Sequence, residues 1–121
     1  MPITHRFDST IVVMELAGEY SMDDVRSAIF NALADSQCPA APCILIDLTE
    51  SQSIYKRTPE DVKIMVGSLS SLRERFKRIA LVAQKDLPYG LMRMGSVFSE
   101  EQGMPVEIFR DFASARNWLL S

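Results

Sequence analysis

The chain of 121 residues is 47% hydrophobic, 24% charged and 8% aromatic, the size and composition of one globular domain around one core. Five glycines and six prolines exclude a collagen-like or low-complexity chain, and a net charge of -3 lacks the basic footprint of a general nucleic-acid binder. The single histidine, His5, excludes multi-histidine metal sites and leaves any His-dependent catalysis to that one residue.

The N-terminus, Met1 to Arg6, has no apolar stretch long enough for a signal peptide or a membrane span, so a cytoplasmic protein is expected. Ile3, His5 and Phe7 alternate with Thr4 and Arg6, the pattern of a half-buried strand. Asp8-Ser9-Thr10 is turn chemistry, and Ile11 to Leu16 is a second β-rich run, so the pair predicts an antiparallel hairpin. His5 shares its strand face with Ile3 and Phe7, which predicts a satisfied, partly buried side chain rather than a catalytic base.

Ser21 is placed to cap a first helix, with Asp23 and Asp24 in the turn where the macrodipole favours anions. Val25, Ala28, Ile29, Ala32 and Leu33 follow at helical spacing. The stretch Cys38-Pro39-Ala40-Ala41-Pro42 breaks that helix. Cys38 and Cys43 fit neither a C-x-x-C redox motif nor a zinc site, which predicts a loop thiol and a small apolar residue opening a strand.

Cys43 to Leu48 has the continuous apolar run of a strand buried on both faces. A polar stretch follows, and Thr58-Pro59-Glu60-Asp61 then signals a helix start: a capping threonine, proline at the first helical position and two carboxylates. Val62, Met65, Val66, Leu69, Leu72 and Phe76 continue its apolar face. Arg73, Arg75, Lys77 and Arg78 then fall at its end, where cations complement the macrodipole.

Ile79 to Ala83 is another buried strand. Asp86-Leu87-Pro88 opens a third helix, with Leu91, Met94 and Phe98 on one face and Gly103 near its end. Val106, Ile108 and Phe109 form a last short strand, and Asp111 caps a final helix carrying Phe112, Ala115 and Leu119. The order ββαβαβαβα predicts one α/β domain, a mainly parallel sheet with an antiparallel N-terminal hairpin.

In open parallel sheets, ligands gather outside the carboxyl ends of the strands. The 49–58 connection on that edge is longer than the usual roughly 2–6 residues. It brings Ser53, Tyr55, Lys56, Arg57 and Thr58 beside a helix N-terminus, which suits a phosphate or carboxylate. Tyr89 and Arg93 begin the neighbouring third helix and complete the expected binding set. Thr58 doubles as a candidate phosphorylation site, where added negative charge would stand at a helix start beside Lys56 and Arg57. Asp47, at a strand end, either serves a site or caps the following loop. The third helix is apolar over more than one face, through Leu87, Tyr89, Leu91, Met92, Met94, Val97 and Phe98. Core packing, a homodimer contact or an apolar ligand groove would each use that surplus. No G-x-S-x-G elbow, P-loop or G-x-G-x-x-G occurs, and no nucleophile has activating partners nearby. No enzyme, cofactor or metal is expected.

Several strings, in this order, resemble a known family: Leu16-Ala17-Gly18-Glu19-Tyr20-Ser21, Ile44-Leu45-Ile46-Asp47-Leu48-Thr49, Leu72-Arg73-Glu74-Arg75-Phe76, and Tyr89-Gly90-Leu91-Met92-Arg93-Met94. Together they are similar to the SpoIIAA-like branch of the STAS superfamily, which includes the bacterial anti-sigma-factor antagonists and is sometimes grouped with Sec14-type lipid-binding domains. The resemblance implies a small cytoplasmic bacterial domain that binds rather than catalyses. In antagonists a serine or threonine at the start of the second helix is phosphorylated by a partner kinase, and Thr58 falls at that place. Their D-S-[ST]-G motif is absent, with Lys56-Arg57-Thr58-Pro59-Glu60 in its stead. The expected function is therefore a non-enzymatic regulatory or protein-interaction module, binding through the 49–58 loop and the third helix. The alternative is a carrier of a small lipid or other apolar anion, its tail on the third helix and its head on Lys56, Arg57 and Arg93.

Overall fold

A computed structural model describes residues 2–121. Five strands form one sheet in the order β1-β2-β3-β4-β5: β1 (Ile3–Asp8), β2 (Ile11–Leu16), β3 (Cys43–Asp47), β4 (Ile79–Val82) and β5 (Val106–Phe109). β1 runs antiparallel to β2, and every other pairing is parallel. Four helices follow the expected order: α1 (Met22–Ala34), α2 (Pro59–Ser70), α3 (Asp86–Glu101) and α4 (Phe112–Leu120).

Side-chain alternation along the strands divides the core in two. On one face Val12, Ile44, Ile79 and Val106 lie in register, as do Met14, Ile46 and Leu81. That face packs against Val25 and Ile29 of α1, Val62, Val66 and Leu69 of α2, and Leu91, Met92 and Phe98 of α3. On the other, Val13, Leu45 and Ala80 pack against Ala115 and Leu119 of α4. Three helices thus cover one face and a single helix the other.

The caps are local chemistry that the tertiary structure keeps. Ser21 Oγ accepts from the Asp24 N–H at 3.0 Å, and the Asp24 carboxylate accepts from the Ser21 N–H at 2.9 Å. Thr58 and Asp61 repeat this reciprocal box at the start of α2. Each cap of this type stabilises by about 1 kcal/mol. Asp111 caps α4 through the Ser114 N–H at 2.8 Å. Cys38 lies partly buried in a loop and Cys43 is buried at the start of β3, both as free thiols.

Two expectations are corrected. α2 ends at Ser70 and gives way to a 3-10 turn at Arg73–Arg75, so Leu72 and Phe76 reach the core from outside the helix. The cations after it therefore do not serve the α2 macrodipole, whose last turn holds no basic residue. Instead Arg73 donates to the Gln102 carbonyl, Arg75 lies over the Phe30 ring, and Arg78 donates to the Trp118 carbonyl while covering its indole. In α3 the buried positions are Pro88, Gly95 and Ser99, whereas Met94 is 41% exposed. Small residues let α3 approach closely, and a Cβ placed on Gly95 would stand 2.9 Å from Val62 Cγ1 of α2.

Candidate functional site

The strand order never reverses, so the sheet has no topological switch point of the doubly wound kind. The 49–58 connection is tied down at the carboxyl edge rather than splayed. Gly18, at a φ of 67° that suits glycine, donates its N–H to the Glu50 carbonyl, and its own carbonyl accepts from the N–H groups of Gln52 and Ser53. Asp47 accepts from the Thr49 N–H and hydroxyl at 2.9 and 2.6 Å, which makes it the cap of this loop.

The expected binding residues separate on this framework. Ser53 is buried, and its Oγ accepts the Tyr20 N–H at 2.8 Å. Tyr55 is exposed on the 3-10 turn Ser53–Lys56. Lys56 is exposed and ion-paired with Glu19, which holds the Glu19 carboxyl below its ordinary range. Thr58 Oγ1 is engaged in the cap of α2, accepting the Asp61 N–H at 3.1 Å. Tyr89 lies half-buried beneath the Arg110 guanidinium, 4.0 Å from its ring centroid, and Arg110 also bonds Gln84 and Asp86. Arg93 is exposed on α3. The seven residues do not converge on one crevice.

Arg57 differs from the rest. Half-buried, it donates through Nη2 to the Tyr20 carbonyl at 2.7 Å and lies over the Tyr20 ring, 5.8 Å from its centroid. It stands on the wall of an apolar cavity of about 100 Å³ between the sheet and α1, α2 and α3. The floor is Leu16, Ile46, Ile79 and Leu81; the walls include Val25 of α1, Val62, Met65 and Val66 of α2, and Gly95 of α3. Tyr20, Arg57 and Asp61, at the N-terminal ends of α1 and α2, also stand on the wall, but the surface turned to the cavity is almost wholly apolar.

The wall at these helix ends is ordered around Tyr20. Its hydroxyl and Ser51 Oγ lie 2.5 Å apart, and Ser51 Oγ also accepts the Ile54 N–H at 3.2 Å. Burial pushes the Tyr20 phenol above its ordinary value of 10.0, opposed by the Ser51 hydrogen bond and the nearby Arg57 charge. Elsewhere the cavity offers hydrocarbon. A void of this size left unfilled costs about 2 kcal/mol at roughly 24 cal/mol per Å³, an upper figure because the cavity is partly open.

Sequence reasoning put the 18–21 segment on the same sheet edge but missed the Tyr20–Arg57 pairing, Asp61 and the cavity itself, because the contacts that build them are long-range: Arg57 and Tyr20 lie 37 residues apart. Among the described residues no group of three His, Cys, Asp or Glu side chains is placed to hold a metal ion. No helix among the described residues is long and apolar enough to cross a membrane.

Comparison with known proteins agrees with this architecture. The model of the SpoIIAA-like family matches residues 11–120. No curated protein matches the sequence. Among solved structures, the chain is similar to an uncharacterized DUF3478-family protein with a SpoIIAA-like fold from Shewanella loihica PV-4. The TM-score is 0.60 at 20% identity, covering 97% of this chain and 91% of that one. At that identity the likeness speaks for the fold. With the family match spanning nearly the whole chain and the five-stranded sheet agreeing with it, the protein belongs to the SpoIIAA-like family.

Proposed function

We propose that this domain is a non-enzymatic regulatory module that acts by binding, and that its site is the cavity between the sheet and α1–α3, which takes a small apolar ligand. The observation that carries the reading is the cavity itself: about 100 Å³ of hydrocarbon-lined space between the sheet and three helices. An engineered protein cavity of about 150 Å³ with aliphatic and aromatic walls binds benzene, so this smaller volume suits a short alkyl chain. Water would need two to four polar partners to occupy it, and the hydrocarbon end supplies none. In this reading the 49–58 loop forms the lip of the site, Thr58 is the cap that positions α2, and Lys56 and Arg93 stand outside it.

The test uses native mass spectrometry of protein purified from its own cells, together with thermal shifts in 1-hexanol. A co-purifying apolar small molecule, or a hexanol-dependent rise in Tm that Val66→Met abolishes by filling the cavity, is expected. No bound species and no shift in either protein refutes the reading.

A protein partner is the second reading, favoured by the face of α3 that carries Leu87, Met94 and Val97 at 66%, 41% and 51% exposure. Monomodal solvent exposure of such residues is common singly, but three on one helix mark a candidate contact. Sedimentation and pull-down with Met94→Glu test it; behaviour identical to the parent chain counts against it.

A further inference from the structure

One cationic residue, Arg57, stands on the wall of the cavity. Among the described residues no carboxylate is paired with it, whereas its neighbour Lys56 is paired with Glu19. Arg93 is absent from the lining. A guanidinium has five N–H donors. The Tyr20 carbonyl takes one of Arg57's through Nη2, and the Tyr20 ring supports the plane from the side. A half-buried guanidinium held in position with donors to spare is pre-organised for the planar, two-point geometry of a carboxylate.

Asp61 sets the limit on that charge. It lines the same cavity, and one of its oxygens accepts the Thr58 N–H at 3.0 Å. A head group entering here meets one positive and one negative side chain, so a single negative charge on Arg57 is accommodated while a second would face Asp61. A phosphate monoester carries about -1.5 to -2 near neutral pH.

Taking the cavity as the binding site proposed above, we infer that its ligand is an amphiphilic monocarboxylate, with the carboxylate on Arg57 and the hydrocarbon tail between the sheet and α2. Lys56 and Arg93 take no part in holding it. Tyr20 acts as a positioning residue, fixing the guanidinium through its carbonyl and ring.

Isothermal titration of the parent chain, Arg57→Gln and Arg57→Lys with hexanoate, 1-hexanol and hexyl phosphate at pH 7 tests this, with circular dichroism melts establishing that each variant is folded. Hexanoate is expected to bind the parent about tenfold more tightly than 1-hexanol, the scale of one charge-assisted contact, and more tightly than hexyl phosphate. Arg57→Gln removes the preference for hexanoate over 1-hexanol, and Arg57→Lys retains part of it. Equal affinity for hexanoate and 1-hexanol in the parent, a preference unchanged in Arg57→Gln, or hexyl phosphate binding most tightly each overturns the inference and leaves the cavity reading standing. Failure of all three probes to bind overturns both.

Discussion

Replacing Gly95 by alanine isolates the contact that closes the α2–α3 wall of the cavity. The added Cβ would stand 2.9 Å from Val62 Cγ1, well inside the roughly 3.5–4.0 Å at which carbon atoms pack best. Val62 is branched at Cβ, and a helix holds valine in one χ1 rotamer about 90% of the time, so the methyl has no cheap escape. Overpacking of this kind costs about 1–3 kcal/mol. Removing a glycine from a helix interior offsets it by about 0.8–1.0 kcal/mol. The expected net effect is a loss of about 1 kcal/mol. Gly90 provides the internal control, because a Cβ there meets nothing within 4 Å. Gly90→Ala keeps the helix-propensity gain, so the two variants separate by about 2 kcal/mol in urea unfolding. Adding Val62→Ala to Gly95→Ala deletes the offending methyl, and the double variant loses less than the sum of the singles. Val62 also lines the cavity, so Gly95→Ala lowers 1-hexanol affinity as well. Equal stabilisation by Gly95→Ala and Gly90→Ala would refute the close contact and the account of the wall built on it.

Thr58→Ala removes one half of the α2 capping box and is expected to lower stability by about 1 kcal/mol, with Thr58→Ser close to the parent chain; equilibrium unfolding measures both. Tyr20→Phe deletes the hydroxyl partner of Ser51 and costs about 1 kcal/mol in the same assay, with a smaller loss when Ser51→Ala is already present. Asp8 holds Arg116 through two hydrogen bonds at 2.8 and 3.2 Å, and this bonding keeps the Asp8 carboxyl below its ordinary value of 3.8. The folded pKa is depressed, so the contribution is present above the ordinary value and fades as pH falls through the folded one. Arg116→Gln is expected to flatten the fall of Tm below about pH 4, and an unchanged acid limb would contradict it.

Much of the local structure is legible in the residues themselves, because capping, alternation and helix-breaking act over a few positions. Ser21 with Asp24 and Thr58 with Asp61 start their helices by bonds between residues three apart. The strands from Ile11 and Cys43 begin where the apolar runs begin. Net charge excluded a broadly basic surface, and the structure disperses Arg73, Arg75 and Arg78 onto three separate partners. The lone histidine bonds Asp35 and meets Phe7 edge-on as a satisfied side chain, but it is exposed on β1 rather than partly buried.

What the sequence alone determined is therefore the alphabet of elements and the family: four helices, five strands, their order and their caps. Only the tertiary structure decided where a site could be. The strands follow one another without reversal, and buried Ser51 and Ser53 tie the 49–58 loop to the carboxyl edge of the sheet. Met94 turns to solvent because Gly95 and Ser99 supply the close-packed face of α3. The cavity and its Arg57–Tyr20 pair arise from side chains far apart in the chain and meeting across layers. Short-range periodicity carries no information about such meetings, since they depend on how three helices share one face of a sheet.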